Sequence, residues 1–376
     1  MKSYDIAIVG GGIFGLSIAR ECVQYGLKTI LIEKNRVASG ASNGLVGALM
    51  PHVPTRWNDK KQFQFDALNE LSALAEQLKE ATGLSLGYAR TGRLMPLYTQ
   101  DKYEYALERE KESKDRWHTE TTGFSFKVLK ESPFGNWLTP ESAPLGFVFD
   151  NFAARANPRA YCTALKTYLL DKITILEGTE FNSFDEKNGR VILQNGESIS
   201  AKKVVISAGY EGFDLISNIT EQTIGTGVKG QSLLLELDLP ANLPVIYDDG
   251  IYVIAHENGR VALGSTSEND WQDKDPHDAD LNAILAKALV FCPQLKGARV
   301  IDTWAGIRPK CKMRDPIVGT IPGHEDIYVA TGGFKISYGI AHRIAAALLE
   351  EITMQTQRQI MVPASFRPES HFKQVT

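Results

Sequence analysis

The chain has little of what would narrow its class at once. Its 376 residues hold four cysteines, Cys22, Cys162, Cys292 and Cys311, with no Cys-x-x-Cys pair. Neither these nor the seven histidines fall at metal-ligand spacings, so no metal site is expected and the thiols read as reduced, in a cytoplasmic protein. No run of about 18 uninterrupted apolar residues occurs, so no membrane span is expected. Positive charge is not in excess: Lys plus Arg number 41 against 45 Asp plus Glu, a formal net charge of −4. DNA and other long nucleic acids therefore meet no global basic field. Low-complexity linkers and internal repeats are missing too. A hydrophobic content of 43% is ordinary for a globular protein long enough to form two domains.

The most informative segment is Ile6-Ala7-Ile8-Val9-Gly10-Gly11-Gly12-Ile13-Phe14-Gly15, followed at the end of a second apolar run by Glu33-Lys34. This is the pattern of a dinucleotide-binding βαβ unit. Gly10, Gly12 and Gly15 permit a tight turn, close approach of a pyrophosphate and close helix-on-sheet packing, while the N–H groups of the helix start supply partial positive charge. Glu33 is placed to accept hydrogen bonds from a ribose. A lone Gly-x-Gly-x-x-Gly carries little, but here a strand precedes it, a helix follows, and the acid lies at the required distance. The apolar start imitates a signal peptide, yet Asp5 and the three glycines interrupt it.

NAD and FAD share this pyrophosphate geometry, so other segments must separate them. Gly40-Ala41-Ser42 and Gly47-Ala48-Leu49 belong to a loop of small residues that lets backbone approach a large planar ligand. Near the other end, Val329-Ala330-Thr331-Gly332-Gly333-Phe334-Lys335-Ile336-Ser337-Tyr338-Gly339 repeats strand, glycine turn and helix start. A second helix start aimed at the ligand suits a flavin, whose N1–C2 region becomes negative on reduction.

With these segments and four more, the chain resembles the FAD-dependent amine and amino-acid oxidoreductase family that includes D-amino-acid oxidase, glycine oxidase and monomeric sarcosine oxidase. The additional segments are Val204-Val205-Ile206-Ser207-Ala208-Gly209, Val228-Lys229-Gly230-Gln231, Gly259 to Thr266, and Ala305-Gly306-Ile307-Arg308-Pro309 with Pro316-Ile317-Val318-Gly319. The likeness runs nearly end to end and is specific to the family rather than to one member. It implies FAD as cofactor, with Ala208, Gly209 and Gly306 joining the segments above at its site. It implies an α/β fold, α+β overall, in which a Rossmann-like FAD-binding domain (1–85, 146–215 and 300–376) is interrupted by an antiparallel-sheet substrate domain (86–145 and 216–299).

The resemblance also assigns roles. Arg308 matches the position that holds the substrate carboxylate, Lys335 a second basic position, and Tyr252 the tyrosine of a substrate-domain strand. His52 and Arg56 are weaker candidates for the cavity wall. The implied reaction is oxidation of a C–N bond in an amino acid or N-substituted amino acid by hydride transfer to flavin N5, giving an imine that water hydrolyses. Some features depart from the family pattern. Cys311 and Met313 stand where a threonine and an aspartate are usual, and Gly306 stands where members with covalent flavin carry cysteine. Noncovalent FAD is therefore expected. Gly333-Phe334-Lys335-Ile336-Ser337 is closer to sarcosine and fructosyl-amine oxidases, which favours an N-substituted amino acid as much as a primary one.

Three alternatives stay open on sequence alone. The small-residue loop through Met50-Pro51 also resembles the oxidase half of the enzyme that trims carboxymethylaminomethyl-uridine in tRNA, although the chain shows no basic excess. A 2-hydroxy-acid dehydrogenase and a noncatalytic flavin-binding protein are the others. Peripheral membrane contact and oligomeric state are open as well.

Local patterns predict helices around Asp59 to Thr82, along the charged stretch from Asp101 to Arg116, from Asn157-Pro158 to about Asp171, and after Pro276. A strand is predicted through Gly92-Arg93-Leu94. Asn188-Gly189, Asn195-Gly196 and Asn258-Gly259 predict tight hairpins in which both residues take positive φ. The polar tail from Met354 to Thr376 is left as a loose or docking segment.

Overall fold

The computed structural model describes residues 3–372, which form two large sheets joined along one cleft. The first sheet grows from strand Ser3–Val9, which pairs in parallel with Ser198–Ile206 on one side and Thr29–Ile32 on the other. Ile327–Thr331 and Thr174–Leu176 extend it in parallel at either end, and the antiparallel strand Ile317–Thr320 closes one edge. Strands covered on both faces read as unbroken apolar runs rather than alternation. Thr29–Ile32 and Ile327–Thr331 are buried throughout, which is why they stood out in the sequence. Helices Ile13–Gln24, Pro158–Leu169 and Ser337–Thr353 share a core with one face of the sheet, and Gly212–Thr220 packs on the other.

The helix ends follow from local chemistry. Asn157 caps Pro158–Leu169 by accepting from the Ala160 N–H, and proline fills the first helical position, whose N–H would have no partner. Asn58 likewise caps Asp59–Thr82, and Gly83 ends it at φ 73°. The charged stretch forms Gln100–Arg116, capped by Thr99. Helix Pro158–Leu169 stops two residues before the predicted end.

The second sheet runs in the order Arg299–Cys311, Gly225–Glu236, Arg260–Gly264, Ile251–His256, Val245–Asp248, Arg93–Pro96, Phe147–Asp150, Phe126–Leu129. Its pairs are antiparallel except Val245–Asp248 against Arg93–Pro96. Helix Asp278–Phe291 covers one face. Residues of Ile251–His256 alternate accordingly: Ile251, Val253 and Ala255 belong to the core under that helix, while Tyr252 turns to the cleft.

Pairing differs from the sequence-derived division at three places. Phe147–Asp150 and Arg299–Cys311 hydrogen-bond within the second sheet, although boundaries at 145 and 299 place them with the cofactor region. The boundary at 215 cuts helix Gly212–Thr220, which packs wholly against the first sheet. Strand Arg299–Cys311 was misplaced because its Gly-x-Arg-Pro end resembles a cofactor-site motif, whereas its length is set by pairing with Gly225–Glu236.

Of the three Asn-Gly pairs, only Asn258-Gly259 has both residues at positive φ, 61° and 65°. At the other two, the glycine alone does so. The Asp185 side chain accepts from the Asn188 N–H, and the Asn195 side chain accepts from the Glu197 N–H. Local side-chain bonds there replace the two-residue turn.

The tail as far as Phe372 docks on its own chain: the Phe366 ring packs edge-on to Phe63, and Phe372 enters the core beneath the first sheet. Residues 373–376 lie outside the described part. No described helix is long and apolar enough to cross a membrane.

Arg93 and Asp150 face each other across adjacent strands, buried, with Nε 2.7 Å from Oδ2. Asp150 also accepts from the Ala153 N–H at 2.8 Å. Removing one partner strands a buried charge. Asp150→Ala is expected to lower unfolding free energy by about 3–5 kcal/mol, measured by urea denaturation.

Candidate active site

A cleft of ≈ 790 Å³ runs between the two sheets. It is lined by every residue singled out above for catalysis or cofactor binding except Gly15. Gly10, at φ 104°, turns tightly against the returning strand, and a Cβ there would lie 2.6 Å from Ala208 Cα. Gly15 serves that turn from behind, since its Cβ would sit 1.9 Å from the Gly10 carbonyl. His52 and Arg56 do not line the cleft. His52 is neutral, its pKa lowered to about 4, chiefly by burial, and Arg56 is exposed.

At one end, Glu33 accepts from the Gly11 N–H at 2.7 Å and the Asn35 N–H at 2.8 Å. Lys34 pairs with Glu180 at 3.1 Å and Glu211 at 3.8 Å. Helix Ile13–Gln24 starts at Gly12 with no side-chain cap of its own. The Ile13 N–H donates instead to Ser42 Oγ at 3.0 Å, and the Ser42 carbonyl accepts from Tyr338 Oη at 2.5 Å. The small-residue loop is thereby fixed over the helix start.

At the other end, Arg308 spans from strand Arg299–Cys311 toward the loop after Arg260–Gly264, donating to Ser265 Oγ at 2.8 Å and the Thr266 carbonyl at 3.0 Å. Its guanidinium lies across Gly230, where a Cβ would come within 2.0 Å of it. Burial lowers its pKa to about 10, so it stays charged at neutral pH. Lys335, two residues before helix Ser337–Thr353, has its pKa lowered first by burial and then by Arg308 and Lys310. Burial pushes Tyr252 up to about 12, which leaves it a phenol able to donate. Trp304 stands beside them, with a Cβ at Gly306 falling 2.2 Å from its ring.

Gly230, Ser265, Trp304 and Tyr338 were not assigned roles from the sequence. Gly230, Ser265 and Tyr338 fall within segments that carried the family resemblance, but Trp304 left no sequence signal beyond its neighbours.

These residues fit a dinucleotide. The glycine turn and the helix start, apart from the Gly11 and Ile13 N–H groups already held by Glu33 and Ser42, present backbone N–H groups to a pyrophosphate. Cleft residues Gly40 and Gly209 leave open space where a side chain would stand: a Cβ at either meets no described atom within 4 Å. Glu33 would hold ribose hydroxyls, and the loop through Leu49, with Gly332 and Gly333, would flank the flavin.

A parallel sheet with this turn, facing a second sheet that presents cations, defines a two-domain flavoenzyme. The model of the FAD dependent oxidoreductase family, DAO, matches residues 5–347, and the chain belongs to that family. Its cofactor is FAD and its activity is that of an oxidoreductase. It is 25% identical to glycine oxidase of Pseudomonas putida over 371 residues, covering 98% of this chain and 99% of that protein. It is 28% identical to the bifunctional protein ThiO/ThiG of a Nostoc species, across 93% of this chain and 53% of that protein. The solved glycine oxidase from Geobacillus kaustophilus superposes with a TM-score of 0.87 at 20% identity, covering 99% and 100% of the two chains, a likeness of fold.

The contact between Gly230 and Arg308 leaves no space for a methyl group. Gly230→Ala is expected to displace the guanidinium and weaken binding of small carboxylates at least ten-fold while FAD affinity is kept, measured by flavin absorbance titration.

Proposed function

We propose that this enzyme oxidises the C–N bond of a small carboxylate-bearing amine, an amino acid or N-substituted amino acid, to an imine that water hydrolyses. The observation that carries this reading is Arg308: a desolvated guanidinium in the cleft, held by Ser265 and Thr266, with no carboxylate partner among the described residues. Only two of its N–H groups are used in those bonds, and a guanidinium presents five. The remainder are free to grip a substrate carboxylate. Lys335 adds a point charge that tolerates varied carboxylate positions, and Tyr252 supplies a phenolic donor.

Bound FAD supplies the acceptor for the two electrons and the hydrogen taken from carbon. The protein's part is to orient the substrate and exclude water. No histidine lines the cleft among the described residues. Its lining carboxylates lie away from Arg308: Glu33 binds the glycine turn, Glu180 and Glu211 pair with Lys34, and Asp214 follows one helical turn on. Among the described residues, no carboxylate or histidine of the cleft lining thus stands at the substrate end to take a proton from carbon, which suits a substrate that enters as a neutral amine and gives up hydride.

The test is anaerobic reduction of the flavin by glycine, sarcosine, other N-alkyl glycines, D- and L-amino acids, and 2-hydroxy acids. Bleaching by an amine with release of ammonia or a smaller amine is expected. Reduction by hydroxy acids alone would overturn the reading. Charge-assisted hydrogen bonds contribute about 1.5–3 kcal/mol each. Arg308→Met, losing two of them, is expected to cut kcat/KM by roughly 10²–10⁴-fold with flavin retained.

FAD is proposed to be held without a covalent bond. All four cysteines are buried, and burial pushes each thiol up to about 12, so none offers a thiolate. Acid precipitation is expected to leave all flavin absorbance in the supernatant.

A further inference from the structure

The charge content of the substrate end narrows the substrate further, and this step rests on the C–N reading above. Arg308 and Lys335 line the cleft there, and Lys310 stands beside Lys335 just outside the lining. Arg308 donates only to neutral oxygens. The Lys335 ammonium lies 5.6 Å from the centre of the Phe334 ring and has no hydrogen-bond or ion-pair partner among the described residues. Lys310, whose backbone bridges to Gly333, places its ammonium 5.8 Å from the same ring and donates only to the neutral Asn269 Oδ1, at 3.3 Å.

Against these stands one acid, Glu268, which is already engaged by Gln231 Nε2 at 3.0 Å and by the Thr266 hydroxyl. Two positive charges at the mouth of the site, Lys335 exposed and Lys310 half-buried, are left without a counter-charge among the described residues. A shared aromatic ring compensates them weakly, and the positive field they add beside the buried Arg308 guanidinium favours a ligand that brings a second anion. A monocarboxylate would satisfy the Arg308 fork and leave both lysines beside Phe334 without an anion.

We propose that the substrate is an amino dicarboxylate, with one carboxylate on Arg308 and the second between Lys335 and Lys310 beside Phe334. The second acid belongs either to the nitrogen substituent, as in iminodiacetate, or to the side chain, as in aspartate or glutamate. Both present the same pair of anions about one oxidisable C–N bond. The redox step is unchanged: hydride leaves carbon for the flavin, the nitrogen lone pair completes the C=N bond, and water hydrolyses the imine.

Two measurements on the FAD-loaded enzyme test this. In the first, acetate, malonate, succinate and glutarate, none of them oxidisable here, are titrated against the oxidised flavin spectrum. At least one diacid is expected to bind ten-fold or more tightly than acetate. In the second, anaerobic flavin reduction is compared for glycine, sarcosine, iminodiacetate, and the enantiomers of aspartate and glutamate. One amino dicarboxylate is expected to exceed glycine at least ten-fold in reduction rate constant over dissociation constant, with iminodiacetate and the α-amino diacids distinguishing the two placements. In Lys335→Met and Lys310→Met, the ratio of dicarboxylate to monocarboxylate efficiency is expected to fall ten-fold or more. If glycine or sarcosine reduces the flavin and no diacid or amino dicarboxylate does better than its one-carboxylate counterpart, the dicarboxylate assignment is overturned while C–N oxidation stands. If no amine reduces the flavin, both are overturned.

Discussion

The substrate end of this protein is organised around a guanidinium laid across a glycine. Strand Gly225–Glu236 makes this possible by carrying different chemistry on its two faces. Gly230 clears a space under Arg308. The residues on either side point the opposite way: Lys229 reaches Asp273 at 3.1 Å, and Gln231 reaches Glu268 and Asp280. These polar contacts tie down the loop after Gly264, the same loop whose Ser265 and Thr266 accept from Arg308. Farther along, Lys274 of that loop pairs with Glu211 at 3.2 Å, beside Lys34 at the nucleotide end. One strand and one loop therefore set both the position of the carboxylate-binding charge and the closure of the two sheets across the cleft.

The cofactor half relies on a different economy, in which backbone rather than side chains presents the binding groups. The first turn of helix Ile13–Gln24 is held by the hydroxyl of Ser42, and Ser42 in turn is held by the phenol of Tyr338. Tyr338 is half-buried, and its hydroxyl also contacts the Cys162 thiol at 3.2 Å and the Pro158 carbonyl at 3.3 Å. Segments separated by hundreds of residues thus converge on one residue, Ser42, so the glycine turn, the small-residue loop and the last helix behave as a single cradle.

Much of this half was legible in the sequence because its signals are short-range. The glycine turn, the acid after it, the buried strands and the Asn-capped helices each announce themselves within a few residues. The substrate half was legible only through family resemblance, since Arg308, Lys335 and Tyr252 become neighbours through strand register. Gly230 looks like any glycine until Gly225–Glu236 is paired with Arg299–Cys311, and that same pairing moved the domain boundary at 299. Two of the three Asn-Gly turns misled because a side chain bonding to its own backbone supplied a cheaper local solution. The lack of a counter-charge for Lys335 and Lys310 is a three-dimensional fact with no trace in composition, where acids slightly outnumber bases.

The order of strands in the first sheet bears on how the protein is made. Its central strand, Ser3–Val9, finds one neighbour near residue 30, but the other, Ser198–Ile206, lies almost two hundred residues downstream, and that strand waits in turn for Ile327–Thr331. Contacts of such sequence separation are slow to form because loop closure precedes any reward. On a ribosome, the opening βαβ unit emerges with one flank of its sheet uncovered and must stay so until Ser198–Ile206 has been synthesised, and that strand's own outer flank waits for Ile327–Thr331. Only after Gly332 and the helix behind it have emerged does the cradle exist, so FAD enters as one of the last acts of folding rather than as a template for the first.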